Sequence, residues 1–353
     1  MKTEKKILVC YNAPVSYYSV YNGKPKTNPD EIDDMSESSF ERELQIIVES
    51  LSNSFFEVDT FAVTSNIYSL IEKVNRYAPD VIFNFVESVE GVSSFESYIA
   101  GLYELLLVPY TGNKPQTLSN CLDKSKTKEI LGSSGVLIPG YQVFRSGKEI
   151  AGDTFILNFP VITKLLNEDA SIGISENSVT NNLTDLIKQV EFLTSTYNQS
   201  VLVEEYIDGR EFNVAVLGDS TLPISEIDFS GLPSGLPKIV TYEGKWIADS
   251  IYYKHTNPSC PAKINKVLKN RIEKTALAAY KNLQCRDYAR VDIRLNRDNT
   301  PYVIEVNPNP DISTDSGFFR AASAAGMDYK ELLNRIANFA IKRGQRDSQA
   351  KVV

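Results

Sequence analysis

Histidine is nearly absent from this chain of 353 residues, His255 being the single example, and tryptophan occurs once, as Trp246. The four cysteines, Cys10, Cys121, Cys260 and Cys285, stand far apart with no C-x-x-C spacing. Ligands for a Cys/His zinc site are therefore lacking, as is any Ser-His or Cys-His nucleophile pair. Scattered thiols fit a reducing, cytoplasmic setting. An excess of basic charge is missing too. Lys and Arg number 37 against 45 Asp and Glu, a net charge of -8, and no basic-aromatic cluster is present to collect a phosphate backbone, so nucleic acid is not an expected partner. No apolar run reaches the length of a membrane span. The basic start Met1 to Lys6 leads into Ile7 to Tyr11, which Asn12 and Pro14 break before it can serve as a signal-peptide core. A soluble chain without repeats or low-complexity segments is expected, long enough for two or three packed lobes.

Short apolar runs alternate with helical periodicity in the first third. Lys6 to Tyr11, Phe56 to Val63 and Asp80 to Val86 read as strands of a mostly parallel sheet. Ser38 and Glu41 are spaced as a capping box ahead of the stripe Phe40, Leu44, Ile47, Val48 and Leu51. Between them, Asn12 to Glu37 forms an insert carrying Tyr17, Tyr18 and Tyr21, readable as a mobile surface loop or as a lid at the strand ends. A second lobe begins near Asn113, with helical pattern from Leu118 to Leu131, strands at Tyr141 to Phe144 and Pro160 to Leu166, and a helix from Leu183 to Tyr197. Strands dominate Ser200 to Phe229. A Gly/Pro-rich stretch, Ser230 to Lys238, then precedes Thr241 to Trp246, a helix from Ile264 to Leu283, a hairpin from Tyr288 to Asn307 and helices at Thr314 to Ala325 and Tyr329 to Lys342. The expected division is 1–112, 113–200 and 201–343, with 344–353 a polar, frayed tail.

The hairpin carries the chemistry. Matching Val291, Ile293 and Leu295 to Tyr302, Ile304 and Val306 places Asp292 opposite Glu305 and Arg290 opposite Asn307. Two facing carboxylates repel and serve no purpose in a purely structural hairpin. A cation removes the objection. Oxygen-only donors, two carboxylates and an amide, suit Mg²⁺, which completes its shell with water and nucleotide phosphates. On this reading, removing one acid leaves the metal-free fold as stable as before or more so. A solvated polar face is the bland alternative, and Arg290, able to neutralise charge at a metal-phosphate centre, weighs against it.

At this point a resemblance becomes specific. Arg290-Val-Asp292, Glu305-Val-Asn307 and the following Pro308 to Ser316 resemble the last catalytic strands and acceptor loop of the D-alanine-D-alanine ligase family, within the ATP-grasp superfamily. Val108 to Gly112, Leu122 to Lys124, Val161 to Lys164, Ser171 to Gly173, Val203 to Tyr206 and Gly209 to Phe212 each resemble a family motif in the family's order, over about 200 residues. The resemblance implies an α/β ATP-grasp fold with an N-terminal Rossmann-like lobe, a central lobe and a C-terminal lobe. It also implies an ATP-dependent carboxylate-amine ligase that works through an acyl-phosphate, with a small-molecule carboxylate donor and amine acceptor. Two Mg²⁺ ions, replaceable by Mn²⁺, would lie on Asp292, Glu305 and Asn307. Lys124 and Lys164 would touch ATP phosphates under a loop containing Ser171; Glu204, Glu205 and Ile207 belong to the adenine-reading strand, and Glu211 would hold the ribose. Arg290 would stabilise the transition state, Lys245 on the lid would reach the γ-phosphate, and Ser316 would meet the acceptor carboxylate. Dimers are common in the family, so a homodimer is allowed.

The chain also departs from the family. Asp169-Ala170-Ser171 stands where the family has Gly-Ser-Ser, Trp246 takes the place of the lid tyrosine, and Asp311 replaces a glycine beside the oxyanion. The donor-gripping glutamate has no clear counterpart, Glu37 and Glu41 being nearest, and the stretch from Asn84 to Gly91 lacks the family histidine. These changes favour a substrate pair other than D-alanine with D-alanine. Genuine D-alanine-D-alanine ligase activity and a non-catalytic nucleotide-binding protein are the alternatives, the latter disfavoured by the retained acids with Arg290.

Overall fold

Residues 7–10 are apolar without interruption because the first strand is covered on both sides. The computed structural model describes residues 2–13, 15, 17–18, 20–24 and 40–350, excepting the side chains of 41, 42 and 347–350. In it β1 (Thr3–Asn12) is followed by α1 (Phe40–Ser52), β2 (Phe55–Val63), α2 (Ile67–Tyr77), β3 (Val81–Phe85) and α3 (Phe95–Leu105). The three strands form a parallel sheet ordered β2-β1-β3, with Ile7 level with Val58 and Val81. Ile7 and Val9 point to one face, against Ile47 and Leu51; Leu8 and Cys10 point to the other, against Leu70, Val74 and Ile99. The apolar stripe of α1 packs on the sheet as its periodicity predicts, while Ser38 and Glu37 lie outside the described residues, as does the side chain of Glu41.

Next come α4 (Pro115–Leu122), α5 (Lys124–Ser133), β4 (Tyr141–Phe144), β5 (Val161–Leu165), β6 (Val179–Thr180), α6 (Leu183–Tyr197) and β7 (Val201–Glu205). Their strands make an antiparallel sheet ordered β4-β7-β5-β6, with α6 packed on it through Leu186, Val190 and Leu193. The helical run expected from Leu118 to Leu131 is two helices. Asp123 breaks it by leaving helical geometry, and its carboxylate accepts from Ser125 N at 2.9 Å and Lys126 N at 3.2 Å, so that it caps α5. Lys124 thereby becomes the first residue of α5, tied through its own N–H to Leu166 O at 3.2 Å.

The remaining elements are β8 (Glu211–Leu217), β9 (Ser220–Thr221), β10 (Ser225–Asp228), α7 (Tyr242–Trp246), α8 (Ile251–His255), β11 (Asn257–Ser259), α9 (Lys266–Asn282), β12 (Tyr288–Leu295), β13 (Pro301–Asn307), α10 (Gly317–Ala324) and α11 (Tyr329–Ala350). The third sheet runs β11-β10-β8-β12-β13, with β9 on β8, and α9 covers one face through Ile272, Ala276 and Ala279. The tail expected to fray from Gly344 instead continues α11 to Ala350. Two contacts anchor the helix where that stretch begins: Arg343 pairs with Asp287 and donates to Tyr110 O at 2.8 Å, and Gly344 lies so close to Pro109 that a Cβ there would collide. Leu332, Leu333, Ile336 and Ala340 of α11 join the core beneath the first sheet, which couples the end of the chain to its beginning.

Candidate active site

β12 and β13 pair in the expected register at the critical rungs, Arg290 with Asn307 and Asp292 with Glu305. Beyond them the register shifts, Ile293 pairing with Val303, so Ile304 is the extra residue of a bulge. This corrects the apolar matching: Val303 and Val306 face the core with Val291, Ile293 and Leu295, whereas Tyr302 and Ile304 do not. Strict alternation cannot foresee a bulge. Its effect is to let Val303 face the core as well as Val306, while Glu305 and Asn307, two apart, share the open face by ordinary alternation.

On that face Asp292 is richly served. It accepts from Arg290 Nε at 2.8 Å and Nη2 at 2.9 Å, from Asn213 Nδ2 at 2.7 Å and from Asn307 Nδ2 at 3.3 Å. Asn213 was not singled out from sequence; its signal is the alternation Glu211-Phe-Asn213, which puts it level with Asp292 across β8 and β12. Glu305 lies 3.4 Å from Lys124 Nζ. Burial alone would raise its carboxyl, but Lys124, Lys164, Lys245 and Arg290 hold it at about 2. The repulsion anticipated between the facing acids is thus already answered by the chain's own cations. Among the described residues no group of three or more Asp, Glu, His or Cys side chains is placed to hold a metal. An ion here therefore depends on the two carboxylates and the amide oxygen of Asn307, a hard-donor set that fits Mg²⁺.

A run of lysines adjoins the acids. Lys124 contacts Glu168 O and lies 3.1 Å from Asp169. One helical turn on, Lys128 pairs with Glu204, whose other oxygen lies 2.8 Å from Lys164 Nζ. Lys128 was also missed, although its i+4 spacing from Lys124 on one helix face was available. Glu204 and Lys128 are deeply buried, at 1% and 3% side-chain exposure, and Lys164 is half-buried. Burial pushes the Glu204 carboxyl up, but Lys128 and Lys164 together bring it below its ordinary value. At Lys128 burial prevails and the pKa is lowered; at Lys164 the carboxylates prevail and it is raised.

Replacing Glu204 with Gln leaves the buried Lys128 ammonium and the half-buried Lys164 ammonium without their counter-charge and is expected to destabilise the fold by about 3 kcal/mol. The pH dependence follows from the depressed carboxyl. Its contribution is complete above the unfolded pKa and is lost as pH falls through the lower folded value, so the gap between parent and variant should close in acid. Urea unfolding from pH 7 downward measures this; an equal loss at every pH contradicts the charge pairing.

Glu205, next along β7, points to the opposite side and accepts from Asn158 N at 3.0 Å and Nδ2 at 2.7 Å. Ile207 follows the strand, half-buried, just after Tyr206, whose N–H donates to Pro160 O at 2.9 Å. Glu211 is buried 3.5 Å from Arg294 Nε, and burial raises its carboxyl. Arg294, a third residue missed from sequence, donates through Nη2 to Lys238 O at 2.6 Å and stacks over Tyr206 at 4.7 Å. Nothing in a strand pattern distinguishes it from a solvated arginine.

The loop after β5 and the short α7 close over this centre. Ser171 Oγ donates to Val240 O at 3.1 Å, Tyr242 N to Ile174 O at 3.1 Å, and Trp246 Nε1 to Ala170 O at 3.2 Å. Ala170 and Ser171 both hold left-handed φ values, 54° and 61°, a conformation that costs energy in a non-glycine residue. Lys245 sits among Arg290, Glu305, Asp292 and Asp169, and burial followed by Arg290 lowers its pKa. Ser316 accepts from Phe319 N at 3.1 Å as the N-cap of α10, at the end of the loop that follows β13. Asp311 in that loop is exposed and accepts from Ser313 N at 2.8 Å. Of the expected site residues, Lys124, Lys164, Lys245, Arg290, Asp292, Glu305 and Asn307 converge on one centre, with Glu204 and Glu211 beside them. Glu205 faces elsewhere, and the hydroxyls of Ser171 and Ser316 are engaged with the backbone.

The family model described as D-ala D-ala ligase C-terminus matches residues 131–338. An uncharacterized protein of Sinorhizobium fredii is 35% identical over 74% of this chain and 75% of its own length. The D-alanine--D-alanine ligase of Bordetella petrii is 31% identical over 72% of this chain and 74% of its own. In three dimensions the D-alanine--D-alanine ligase of Bacillus anthracis complexed with ATP superimposes with a TM-score of 0.73 at 23% identity, covering 98% of this chain and all of that one. With over half its length matched by the family model and its acids, arginine and lysines gathered in one cleft, the chain belongs to the D-alanine-D-alanine ligase family of ATP-grasp enzymes, ATP-dependent ligases that join a carboxylate to an amine.

Proposed function

We propose that this chain activates a small carboxylate donor by attack on the γ-phosphate of ATP, giving an acyl-phosphate and ADP, and then directs an acceptor amine onto the acyl carbon with loss of phosphate. The observation that carries the reading is the convergence of Arg290, Asp292, Glu305 and Asn307 with Lys124, Lys164 and Lys245. Lys124 and Lys164 would hold ATP phosphates beneath the Ser171 loop, the strand end carrying Glu204, Glu205 and Ile207 would border the adenine through its backbone, the Glu205 side chain being turned to the other face, and Glu211 would take the ribose. Lys245 would reach the γ-phosphate, Arg290 would offset charge on the reacting oxygens, and Ser316 would meet the acceptor carboxylate. Mg²⁺, or Mn²⁺ in its place, held by Asp292, Glu305 and Asn307, would supply charge neutralisation on the phosphates. The proposed lobes are 1–112, 113–200 and 201–343, and the proposed setting is the cytoplasm; among the described residues no helix is long and apolar enough to cross a membrane. An ADP-release screen over pairs of amino acids and common carboxylates, with product masses recorded, tests the reaction. ADP formed without any amide product speaks against it.

The pair is not expected to be D-alanine with D-alanine. Ala170 and Trp246 stand where hydroxyls would orient that donor, and the indole offers a single N–H, which is already bonded to the Ala170 carbonyl. Polar substrate groups left unpaired in such a site cost more than a lost apolar contact. Incubation with ATP, Mg²⁺ and D-alanine should yield dipeptide far below the turnover of about one per second common among enzymes. Mass spectrometric detection at that rate or above would restore the cell-wall substrate.

A further inference from the structure

The helix that carries Lys245 is only five residues long, α7 from Tyr242 to Trp246, too short to hold its own orientation. Its placement depends on what grips it. One grip comes from more than two hundred residues upstream, where Lys24 Nζ lies 2.9 Å and 3.0 Å from the two Glu243 oxygens and 3.0 Å from Glu176 Oε2. Lys24 is itself fixed by its neighbours. Gly173 N donates to Tyr21 O at 2.8 Å, Ser175 Oγ contacts Gly23 O at 3.4 Å, and Tyr21 stacks on Tyr242 with ring centres 6.0 Å apart. Gly23 has φ +72° and abuts the Gly173 carbonyl so closely that any Cβ would collide, so the approach requires glycine. The segment from Tyr21 to Lys24 therefore seals the loop after β5 to α7.

We infer that Lys24 is a positioning residue: by joining Glu243 to Glu176 it holds α7 where Lys245 faces Arg290, Asp292 and Glu305. Without Lys24, the two carboxylates that share its ammonium face each other, and like charges at that range push α7 outward. The inference rests on Lys245 contacting the nucleotide. Trp246 is the only tryptophan of the chain and lies on α7 beside Lys245, so its emission reports the helix independently of catalysis.

The experiment compares Lys24→Met, Lys24→Arg, Glu243→Gln and the double variant Lys24→Met/Glu243→Gln, measuring acrylamide quenching of Trp246 and the affinity for Mg-ATP. Lys24→Met should raise quenching and weaken Mg-ATP about tenfold, the scale of one misplaced charge-assisted contact. Lys24→Arg should stay near the parent. The double variant should recover part of the loss by removing the repulsion, and Glu243→Gln, which leaves Lys24 on Glu176, should fall between. Parental quenching and affinity in both Lys24→Met and Glu243→Gln overturn the inference, as does raised quenching with unchanged affinity, since α7 would then move without moving Lys245. If the parent itself does not bind Mg-ATP, the functional reading falls, and the Trp246 response alone decides whether Lys24 holds the helix.

Discussion

Glu305→Gln is expected to abolish ADP formation and also to lower the stability of the ligand-free protein. The first effect follows from the donor set: with one of two carboxylates gone, Asp292 and two amides are left for a hard divalent ion. The second reverses what the sequence suggests. Facing acids should gain from losing one charge, yet Glu305 lies amid Lys124, Lys164, Lys245 and Arg290, which hold its carboxyl at about 2. Against an ordinary value of 4.5, that depression corresponds to about 3 kcal/mol of folded-state stabilisation near neutral pH. Because the folded pKa is the lower one, this stabilisation is present above the unfolded value and drains as pH falls from about 4.5 toward 2. Gln supplies none of it, so the variant should be less stable at pH 7 and approach the parent in acid. Urea titrations across that range, alongside ADP assays with the pair found by screening, check both halves. A variant that turns over at the parental rate removes Glu305 from the metal site; one as stable as the parent at pH 7 removes the lysines from its surroundings.

The hairpin was legible because strand alternation and the two acids constrain each other. Only one register buries Val291 and Val306 while placing Asp292 against Glu305, and that register is present. Legibility stopped where a local irregularity carries the geometry. Ile304 as a bulge residue looks in sequence like any apolar strand position. Asp123 looks like one more polar residue in a helical run, yet by capping α5 it makes Lys124 the first residue of that helix. The insert rich in tyrosine was readable only as loop or lid. Its described part is tied down at particular residues: Tyr18 donates to Glu168 at 2.7 Å, and Lys24 reaches Glu243. Contacts between residues so distant in sequence leave no periodic trace. Lys128, Arg294 and Asn213 were missed for a related reason, since a lone Lys, Arg or Asn signals nothing until the strand or helix face it shares is known.

Arg290→Met is expected to retain Mg-ATP binding and to lose roughly two to three powers of ten in turnover, the range for removing one preorganised transition-state donor. Arg290 is held by two parallel bonds to Asp292, at 2.8 Å and 2.9 Å, which lock the guanidinium plane before any substrate arrives. A fork so fixed need not reorganise as charge grows on the acyl-phosphate oxygens, so its contribution belongs to the transition state and not to the ground state. Loss of that contribution lowers kcat and kcat/KM together and leaves KM for ATP nearly unchanged. Arg290→Lys separates charge from geometry: an ammonium keeps the positive charge but cannot form both bonds to Asp292 at once. Its turnover should therefore lie between parent and Met variant. Asp292 keeps Asn213 and Asn307 as donors in either variant, which limits collateral loss of the acid's position. Steady-state ADP release at varied ATP decides the matter. Full turnover with only a raised KM for ATP would assign Arg290 to nucleotide binding, and full activity in Arg290→Lys beside a crippled Arg290→Met would mean that charge suffices and the two-bond lock to Asp292 is incidental.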